Sequence, residues 1–400
     1  MKVLVVNAGS SSLKYQLFDT ATEAVLAKGI CERIGLDGRI EHKLANGEKI
    51  KKEIAMPDHA VATGIVIDYL TDKEFGCIAD MSEIEAVGHR VVHGGTYFSE
   101  SVLVDDEVIA KLENCVDLAP LHTPAHLMGI AGCTKAMPGV PQVLVFDTAF
   151  HQSMAPQAYT YALPYEMCQE LSIRRFGAHG TSHRFVAGEM CKILGKVEGT
   201  KIVTCHIGNG SSITAVKDGK CVDTSMGMTP LAGVMMGTRC GDIDPAVVTY
   251  VMKKTGMTPD EMSDFMNKKC GFEGLSGISS DSRDIEAAIL EGNERAYLTA
   301  STLAYQIKKF IGSYSAAMNG LDAVVFTAGM GENNTELRER VCTDMEYYGI
   351  KINKEVNAAA HHQSDIVELS TPDSKVKVYL IPTNEELMIA RDTEALVSAL

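Results

Sequence analysis

The sequence contains the same strand–turn–strand pattern twice, about half a chain apart. Residues 3–13 read VLVVNAGSSSL, and residues 202–213 read IVTCHIGNGSSI. Each copy has an apolar run, a turn of glycine and serine, and a second run of β-type residues, and the second copy has one extra turn residue. A recurrence over this distance predicts two domains of like fold rather than an array of short repeats.

Later segments place both repeats in an α/β context. VLVFDTAF is an apolar strand that ends at Asp147, and AVVFTAGMGENN is a strand, a glycine turn and then a helix from about Thr335. Helical periodicity marks DDEVIAKLENCVDL and ERAYLTASTLAYQIKKFIGSYSAAM, so strands alternate with helices and mixed sheets are expected. The proline-bearing stretch 150–164 is expected to connect the two domains, and a closing helix is expected to begin near Asn384.

Composition restricts the classes of partner. Hydrophobic residues make up 46% and charged residues 22%, which is ordinary for a globular enzyme. No apolar run is long enough to cross a bilayer, and MKVLVV is interpreted as a first strand rather than a signal peptide. The eleven cysteines contain no CxxC pair, which favours reduced thiols, and the net charge of −15 argues against nucleic acid. We therefore expect a cytoplasmic protein with no nucleic-acid or membrane partner.

The two repeated turns are candidate phosphate sites. NAGSSSLK offers backbone N–H groups and three hydroxyls at the mouth of a hairpin, and Lys14 adds a mobile charge. It is not the common GxxxxGK[ST] loop, because Leu13 precedes the lysine. HIGNGSS at 206–212 has two glycines that permit close approach of a ligand to the backbone. The alternative is a hairpin turn whose serines bond their own backbone, but two such turns in duplicated halves favour phosphate binding.

Two further segments suit a nucleotide. TAGMGENN at 327–334 places glycines between a strand and a helix N-terminus, although ordinary strand-to-helix turns also use glycine. In SSDSRD at 279–284, Arg283 is the candidate ligand contact, whereas Asp281 can equally cap the following helix.

Three basic residues stand in glycine-rich surroundings. Arg90 in GHRVVHGG suits bidentate binding of a carboxylate, the alternative being a surface ion pair. His179 in RRFGAHGTSH and Arg239 in MMGTRCGDIDP are placed to project into a cleft. His122 and His126 have helical spacing, but Pro124 between them and the lack of HExxH argue against a zinc protease.

Together these motifs resemble those of the acetate kinases, a family of the acetate and sugar kinase, Hsc70 and actin superfamily. NAGSSSLK, RVVHGG, FDTAFH, HGTSH, HIGNGSS, MMGTR, GDIDP, AGMGENN and TNEEL stand in the family's order across the whole chain. The resemblance implies duplicated ribonuclease-H-like (actin-like ATPase) domains with a nucleotide cleft between them, and a homodimer. It implies an N-terminal domain over 1–149, on which the closing helix 384–400 packs back, and a C-terminal domain over 150–383 with nucleotide-binding and dimerisation elements.

The resemblance also implies a reaction and a set of sites. The reaction is reversible phosphoryl transfer from ATP to acetate, giving ADP and acetyl phosphate, with Mg²⁺ as cofactor and Mn²⁺ as the alternative ion. Carried over by position, the catalytic residues are Asp147, His179 and Arg239, Arg90 holds the substrate carboxylate, and Asn7 and Glu385 are at the metal. The residues placed at ATP are Lys14, His206, Ile207, Gly208, Asn209, Gly210, Asp281, Ser282, Arg283, Gly329, Met330, Gly331, Glu332 and Asn333.

The chemistry leaves the role of Asp147 and the substrate open. A carboxylate nucleophile is ionised at pH 7 and needs no general base, so we hypothesise that Asp147 positions the metal's water shell or Arg90. Ala178 and Ala232 replace a common Phe and Glu of the family, and the smaller Ala178 predicts room for extra methylenes, as in a propionate or butyrate kinase. A sugar kinase and a non-catalytic ATP-binding switch are the alternatives from other classes, and the basic residues disfavour the switch.

Overall fold

The computed structural model describes residues 1–120, 122–362 and 364–400. The chain forms two compact units, one of Met1–Phe150 with Asn384–Leu400 and one of His151–Thr383. Each unit has its own sheet with helices packed on it, which confirms the mixed α/β fold that the sequence predicts. Among the described residues, no helix is both long and apolar enough to span a membrane.

The first unit is built on an eight-stranded sheet of order β5-β4-β3-β2-β1-β6-β8-β7. Its first two strands form the predicted hairpin, in which Asn7 pairs with Lys14. The strands are β1 (Lys2–Gly9), β2 (Ser12–Asp19), β3 (Ala24–Glu32), β4 (Arg39–Leu44), β5 (Lys49–Glu53), β6 (Ala86–Val91), β7 (Val102–Leu103) and β8 (Gln142–Phe146). The helices are α1 (His59–Leu70), α2 (Asp106–Glu113), α3 (Thr123–Ala136) and the closing helix (Glu385–Val397).

Two sequence features decide how helices meet this sheet. The closing helix begins as predicted, because the Asn384 side chain accepts a hydrogen bond from the Leu387 N–H. It packs closely on β6, since a β-carbon at Gly88 would lie 2.7 Å from Ile389 Cγ2. DDEVIAKLENCVDL is not one helix, however: α2 ends at Glu113, and a short 3₁₀ turn follows at Val116–Leu118.

The second unit has a six-stranded sheet of order β11-β10-β9-β12-β14-β13. Its strands are β9 (Lys201–Ile207), β10 (Ser211–Lys217), β11 (Lys220–Thr224), β12 (Ala323–Thr327), β13 (Val367–Glu368) and β14 (Lys377–Leu380). Its helices are α4 (Pro156–Tyr159), α5 (Tyr165–Glu170), α6 (Gly180–Leu194), α7 (Pro245–Thr255), α8 (Pro259–Lys268), α9 (Gly271–Ser276), α10 (Ser282–Leu290), α11 (Glu294–Met318), α12 (Ala328–Asn333), α13 (Thr335–Cys342) and α14 (Lys354–Ala359).

The two sheets share one topology over six strands. In the first, β3-β2-β1 are antiparallel, β1-β6-β8 are parallel, and β7 returns antiparallel at the edge. In the second, β11-β10-β9, β9-β12-β14 and β13 repeat these relations. The repeat seen in the sequence is thus a duplicated fold, and corresponding turns lie at corresponding strand ends.

The segment after β12 differs from the prediction. The sequence predicts a glycine turn before a helix from about Thr335, and α13 does begin there. The glycines themselves form the short helix α12, which starts directly after the strand with Ala328 at φ +64°. Glu332 explains this, because its Oε1 accepts the Ala328 N–H at 2.8 Å and closes the first turn.

Candidate active site

In the first unit, three predicted site residues form one charged group. Arg90 lies in β6, and Asp147 follows β8, the neighbouring parallel strand. Arg90 donates from Nε to Asp147 Oδ1 at 3.1 Å and from Nη2 to Oδ2 at 2.7 Å. Glu385, the first residue of the closing helix, lies with Oε2 3.9 Å from Arg90 Nε. Arg90 therefore forms a bidentate ion pair with Asp147, and its binding of a substrate carboxylate stays a prediction.

The two acidic residues leave this group with excess negative charge. The neighbouring Asp147 carboxylate, more than any other group, raises the pKa of Arg90. Burial raises the pKa of Glu385 to about 7, and the attraction of Arg90 offsets this only in part. A cation beside Glu385 would favour its ionised form. Carboxylate and amide oxygens are the donors that Mg²⁺ takes, so Glu385 and Asn7 fit a magnesium ion chemically.

Asn7 and Lys14 lie beside the same cavity in the first unit. Both line this cavity of about 370 Å³, together with Glu386 from the closing helix. No group of three or more His, Cys, Asp and Glu side chains converges as a metal site among the residues that the structure describes. The His126 nitrogens contact the backbone, since Nε2 accepts the Val92 N–H and Nδ1 lies 3.1 Å from the Ala8 carbonyl oxygen.

In the second unit, His179 and Arg239 meet at the glycine turn between β9 and β10. A β-carbon at Gly210 would lie 3.3 Å from His179 Nε2 and 3.4 Å from Arg239 Nη1. His179 occupies the left-handed region at φ +58° immediately before α6, a conformation that is uncommon outside glycine. Arg239 Nη1 also donates to the Pro230 carbonyl oxygen at 3.1 Å. The turn thus brings together an imidazole and a guanidinium that are far apart in sequence.

The same turn forms one wall of a cavity of about 580 Å³. This volume is in the range of small-molecule sites. Three separate sequence motifs line the cavity, and eight of its lining residues are ones that the sequence predicts at ATP: Gly208, Asn209, Asp281, Ser282, Arg283, Gly329, Met330 and Asn333. Asp281 caps α10, as one of its two predicted roles requires, and it also accepts from Arg283 Nη2 at 2.5 Å.

Five other residues predicted at ATP in this unit lie outside the lining: His206, Ile207, Gly210, Gly331 and Glu332. Ile207 is fully buried, and Gly331 belongs to the inner side of α12. His206 stacks on His179 with ring centroids 4.1 Å apart. Glu332 accepts backbone N–H groups of Ala328 and Thr383. These residues support the walls of the cavity.

Sequence reasoning missed Arg338, which fixes the α12 backbone from behind. Its side chain is fully buried and donates to the carbonyl oxygens of Gly331 at 2.9 Å and Glu332 at 2.8 Å. It also donates from Nε to Asn357 Oδ1 at 2.8 Å, which ties α13 to α14. A buried arginine bonded chiefly to backbone oxygens has no distinctive sequence pattern, so no local signal could have identified it.

Comparison with known sequences assigns the chain to a family. The sequence model of the acetokinase family matches residues 2–391. The chain belongs to the acetokinase family. An acetate kinase from Caldanaerobacter subterraneus subsp. tengcongensis is 56% identical over 403 residues, covering 100% of both chains.

Solved structures agree with this assignment. The crystal structure of a Porphyromonas gingivalis acetate kinase matches with a TM-score of 0.96 at 50% identity, covering 99% of each chain. A propionate kinase from Francisella tularensis matches with a TM-score of 0.91 at 39% identity, again over 99% of each chain. The acetokinase fold is therefore common to enzymes named for different acyl lengths.

Of the two alanines that the sequence analysis identifies as departures from the family pattern, Ala178 is buried and Ala232 is half-buried. Ala178 is 5% exposed and packs in a cluster with Met226 and Met236, which are both fully buried. The neighbours of Ala178 in this cluster are thus two methionines, whose side chains are flexible.

Proposed function

We propose that the protein transfers the γ-phosphoryl group of ATP reversibly to the carboxylate of acetate, forming acetyl phosphate and ADP. Membership of the acetokinase family over nearly the full chain supports this reaction. The observation that carries the site assignment is the turn between β9 and β10, where Gly208 and Asn209 line the 580 Å³ cavity and Gly210 lies beside His179 and Arg239. An ATP-binding switch would need the cavity but not these two side chains.

His179 and Arg239 are the groups that neutralise charge on the transferring phosphoryl group. Phosphoryl transfer needs in-line alignment and charge neutralisation more than covalent help from the protein. Burial lowers the pKa of the Arg239 guanidinium, yet an arginine stays charged at pH 7. ATP occupies the cavity, with Gly208 and Gly329 allowing close approach of the backbone. Lys14, in the hairpin of the first unit, is a further candidate for phosphate binding, as the resemblance implies.

Arg90 holds the acetate carboxylate, and Asp147 positions Arg90. Asp147 already takes the N–H groups at Nε and Nη2, so the substrate is bound by the remaining N–H groups of the guanidinium. This arrangement fixes the orientation of the guanidinium plane before substrate arrives. A base is not required, because acetate is ionised at pH 7.

Asn7 and Glu385 would hold Mg²⁺, directly or through water. Burial raises the pKa of Glu385 and Arg90 compensates only in part, so a cation bound there would favour the ionised carboxylate. When bound, Mg²⁺ would neutralise phosphate charge and orient the ATP phosphates. Mn²⁺ prefers similar oxygen donors and is the alternative ion.

Acetate is favoured over longer acids. If Ala178 lies near the acyl methyl group, as the resemblance implies, Met226 and Met236 occupy the space that an extra methylene would need. An acyl hydroxamate assay with acetate, propionate and butyrate, and an ADP-release assay with a panel of sugars, test the substrate class. We expect kcat/KM highest for acetate, and Met236→Ala should improve propionate relative to acetate. Phosphorylation of a sugar without hydroxamate from any acid would overturn the proposal.

The protein forms a homodimer through its second unit. Helix α7 has no buried residue, and it exposes Val247 and Tyr250, at 43% and 63%. Helix α11 adds the exposed apolar side chains Tyr297 and Leu298. Such faces mark interaction surfaces when they lie together. Light scattering should give twice the monomer mass, and Tyr250→Glu should reduce it to that of one chain.

All eleven cysteines are free thiols, which is compatible with a reducing compartment such as the cytoplasm.

A further inference from the structure

A hydrogen-bonded chain runs from His179 into the core of the second unit. His179 Nδ1 lies 2.9 Å from Ser212 Oγ, and His183 Nε2 lies 2.6 Å from the same oxygen. His183 Nδ1 in turn lies 2.7 Å from Thr204 Oγ1. Ser212, His183 and Thr204 are all fully buried, and only His179 is placed at the proposed reaction site. We call Ser212, His183 and Thr204 the relay.

The relay has a direction because each hydroxyl carries one proton. Thr204 Oγ1 donates to the Thr214 carbonyl oxygen, so it accepts from His183 Nδ1–H. Burial keeps the pKa of His183 well below its usual value, so the ring is neutral and its Nε2 has no proton. Ser212 therefore donates to His183 Nε2. Its lone pairs remain for the proton on Nδ1 of His179.

We propose that Ser212 is a positioning residue that holds His179 with a proton on Nδ1 and with Nε2 directed at Gly210. This inference rests on the proposed function, in which His179 faces the transferring phosphoryl group. A neutral ring with its proton on Nδ1 would present a lone pair at Nε2 to an anionic phosphoryl group. The reacting ring is consequently the imidazolium, which donates from Nδ1 to Ser212 and from Nε2 to the phosphoryl oxygens.

Neighbouring groups fix the same ring from other sides. His206 stacks on it at an interplanar angle of 18°, and the His206 Nδ1 lies 2.8 Å from Ser182 Oγ. Arg239 Nη1 shares the space above Gly210. The His151 ring approaches His183 edge-on with centroids 5.7 Å apart, so the titratable groups that face the chain are His151, His206 and Arg239.

The test uses single and double variants in the acetyl hydroxamate assay. Ser212→Ala removes the acceptor for Nδ1, so kcat should fall about 10- to 100-fold with little change in KM. The fall of activity at alkaline pH should move to lower pH, because the imidazolium has lost a partner. Ser212→Thr keeps the hydroxyl and should restore most of kcat and the pH profile.

Thr204→Val tests the relay without removing a group that bonds His179 directly. Among the relay residues Thr204 bonds only His183, so Thr204→Val should lower kcat by less than Ser212→Ala, and the double variant should resemble Ser212→Ala alone. Thr224→Val is the matched control: it removes a buried hydroxyl that bonds Thr214 at 2.8 Å on the same sheet, and kcat should be unchanged.

The possible outcomes distinguish a failure of the relay from a failure of the proposed function. Wild-type kcat and pH profile in Ser212→Ala, or losses that add in the double variant, would overturn the relay while the kinase activity stands. A wild-type protein that forms no acyl hydroxamate would overturn the proposed function instead. If Ser212→Ala fails to fold, ¹⁵N NMR of histidine in the wild-type protein decides, and an unprotonated Nδ1 on His179 refutes the relay.

Discussion

Replacing Asp147 with Asn keeps the shape of a buried side chain and removes its charge. The Asp147 side chain is 3% exposed and the Arg90 side chain 23%, so their pair is intermediate between surface and buried ion pairs. Surface pairs contribute about 0–1 kcal/mol, whereas breaking a buried pair costs about 3–5 kcal/mol. Asn still offers one oxygen to the two donors of Arg90. We therefore expect the variant to lose about 2–3 kcal/mol of the energy that orients Arg90.

That loss should appear in the reaction of acetate. If Arg90 must be oriented in the transition state, kcat/KM for acetate falls about 30- to 160-fold, at about 1.4 kcal/mol for each factor of ten. The assay is acetyl hydroxamate formation at saturating Mg²⁺ and ATP. Asp68→Asn, which changes an exposed carboxylate in α1 of the same unit, is the matched control and should be neutral.

Two results would refute the reasoning. Full activity of Asp147→Asn at saturating Mg²⁺ would mean that Asp147 is essential neither for Arg90 nor for the metal. Activity that is low at ordinary Mg²⁺ and recovers as Mg²⁺ is raised would assign Asp147 to the water shell of the metal and not to Arg90.

Three further predictions concern other residues. Arg338→Lys loses the two hydrogen bonds from the guanidinium to the α12 backbone, so the KM for ATP should rise about tenfold and the melting temperature should fall. An unchanged KM would show that α12 keeps its shape without these two bonds. Burial lowers the pKa of His89 to about 4, against about 6.5 in an unfolded chain. Between pH 4 and about 6.5 the unfolded state therefore binds more protons than the folded state, and the free energy of unfolding falls as the pH drops through this range. His89→Gln should therefore flatten the decrease in melting temperature over that range, whereas His361→Gln, at an exposed position, should not. Lys14→Ala should raise the KM for ATP, whereas Lys28→Ala, on the same sheet face, should leave it unchanged.

Local chemistry made much of the fold predictable. The two hairpins follow from glycine and serine turns between apolar runs, and the closing helix follows from the cap at Asn384. The helix α12 was not predictable, since it depends on the Glu332 carboxylate accepting a backbone N–H at the start of its own turn. Pattern alone suggests a loop there because glycine disfavours helix.

The parts of the candidate site that short sequence motifs form were predictable from the sequence. The parts that depend on packing between distant segments were not. The cavity residues Gly208, Asp281 and Gly329 belong to three short motifs. Arg338 contacts Asn357, 19 residues further along the chain, and no sequence period relates the two. Ser212 was visible as a turn serine, but its bond to His183 depends on a helix that begins 32 residues earlier.

The return of the closing helix to the first unit also sets an order of events during synthesis. Residues 384–400 belong to the unit that begins at Met1, and all 233 residues of His151–Thr383 are made between the two parts. Glu385 therefore reaches Arg90 only after the whole second unit has been made, and the face of β6 at Gly88 stays uncovered until then. The nascent first unit can form its hairpin early, but its charged group is incomplete until residues 384–400 have been made.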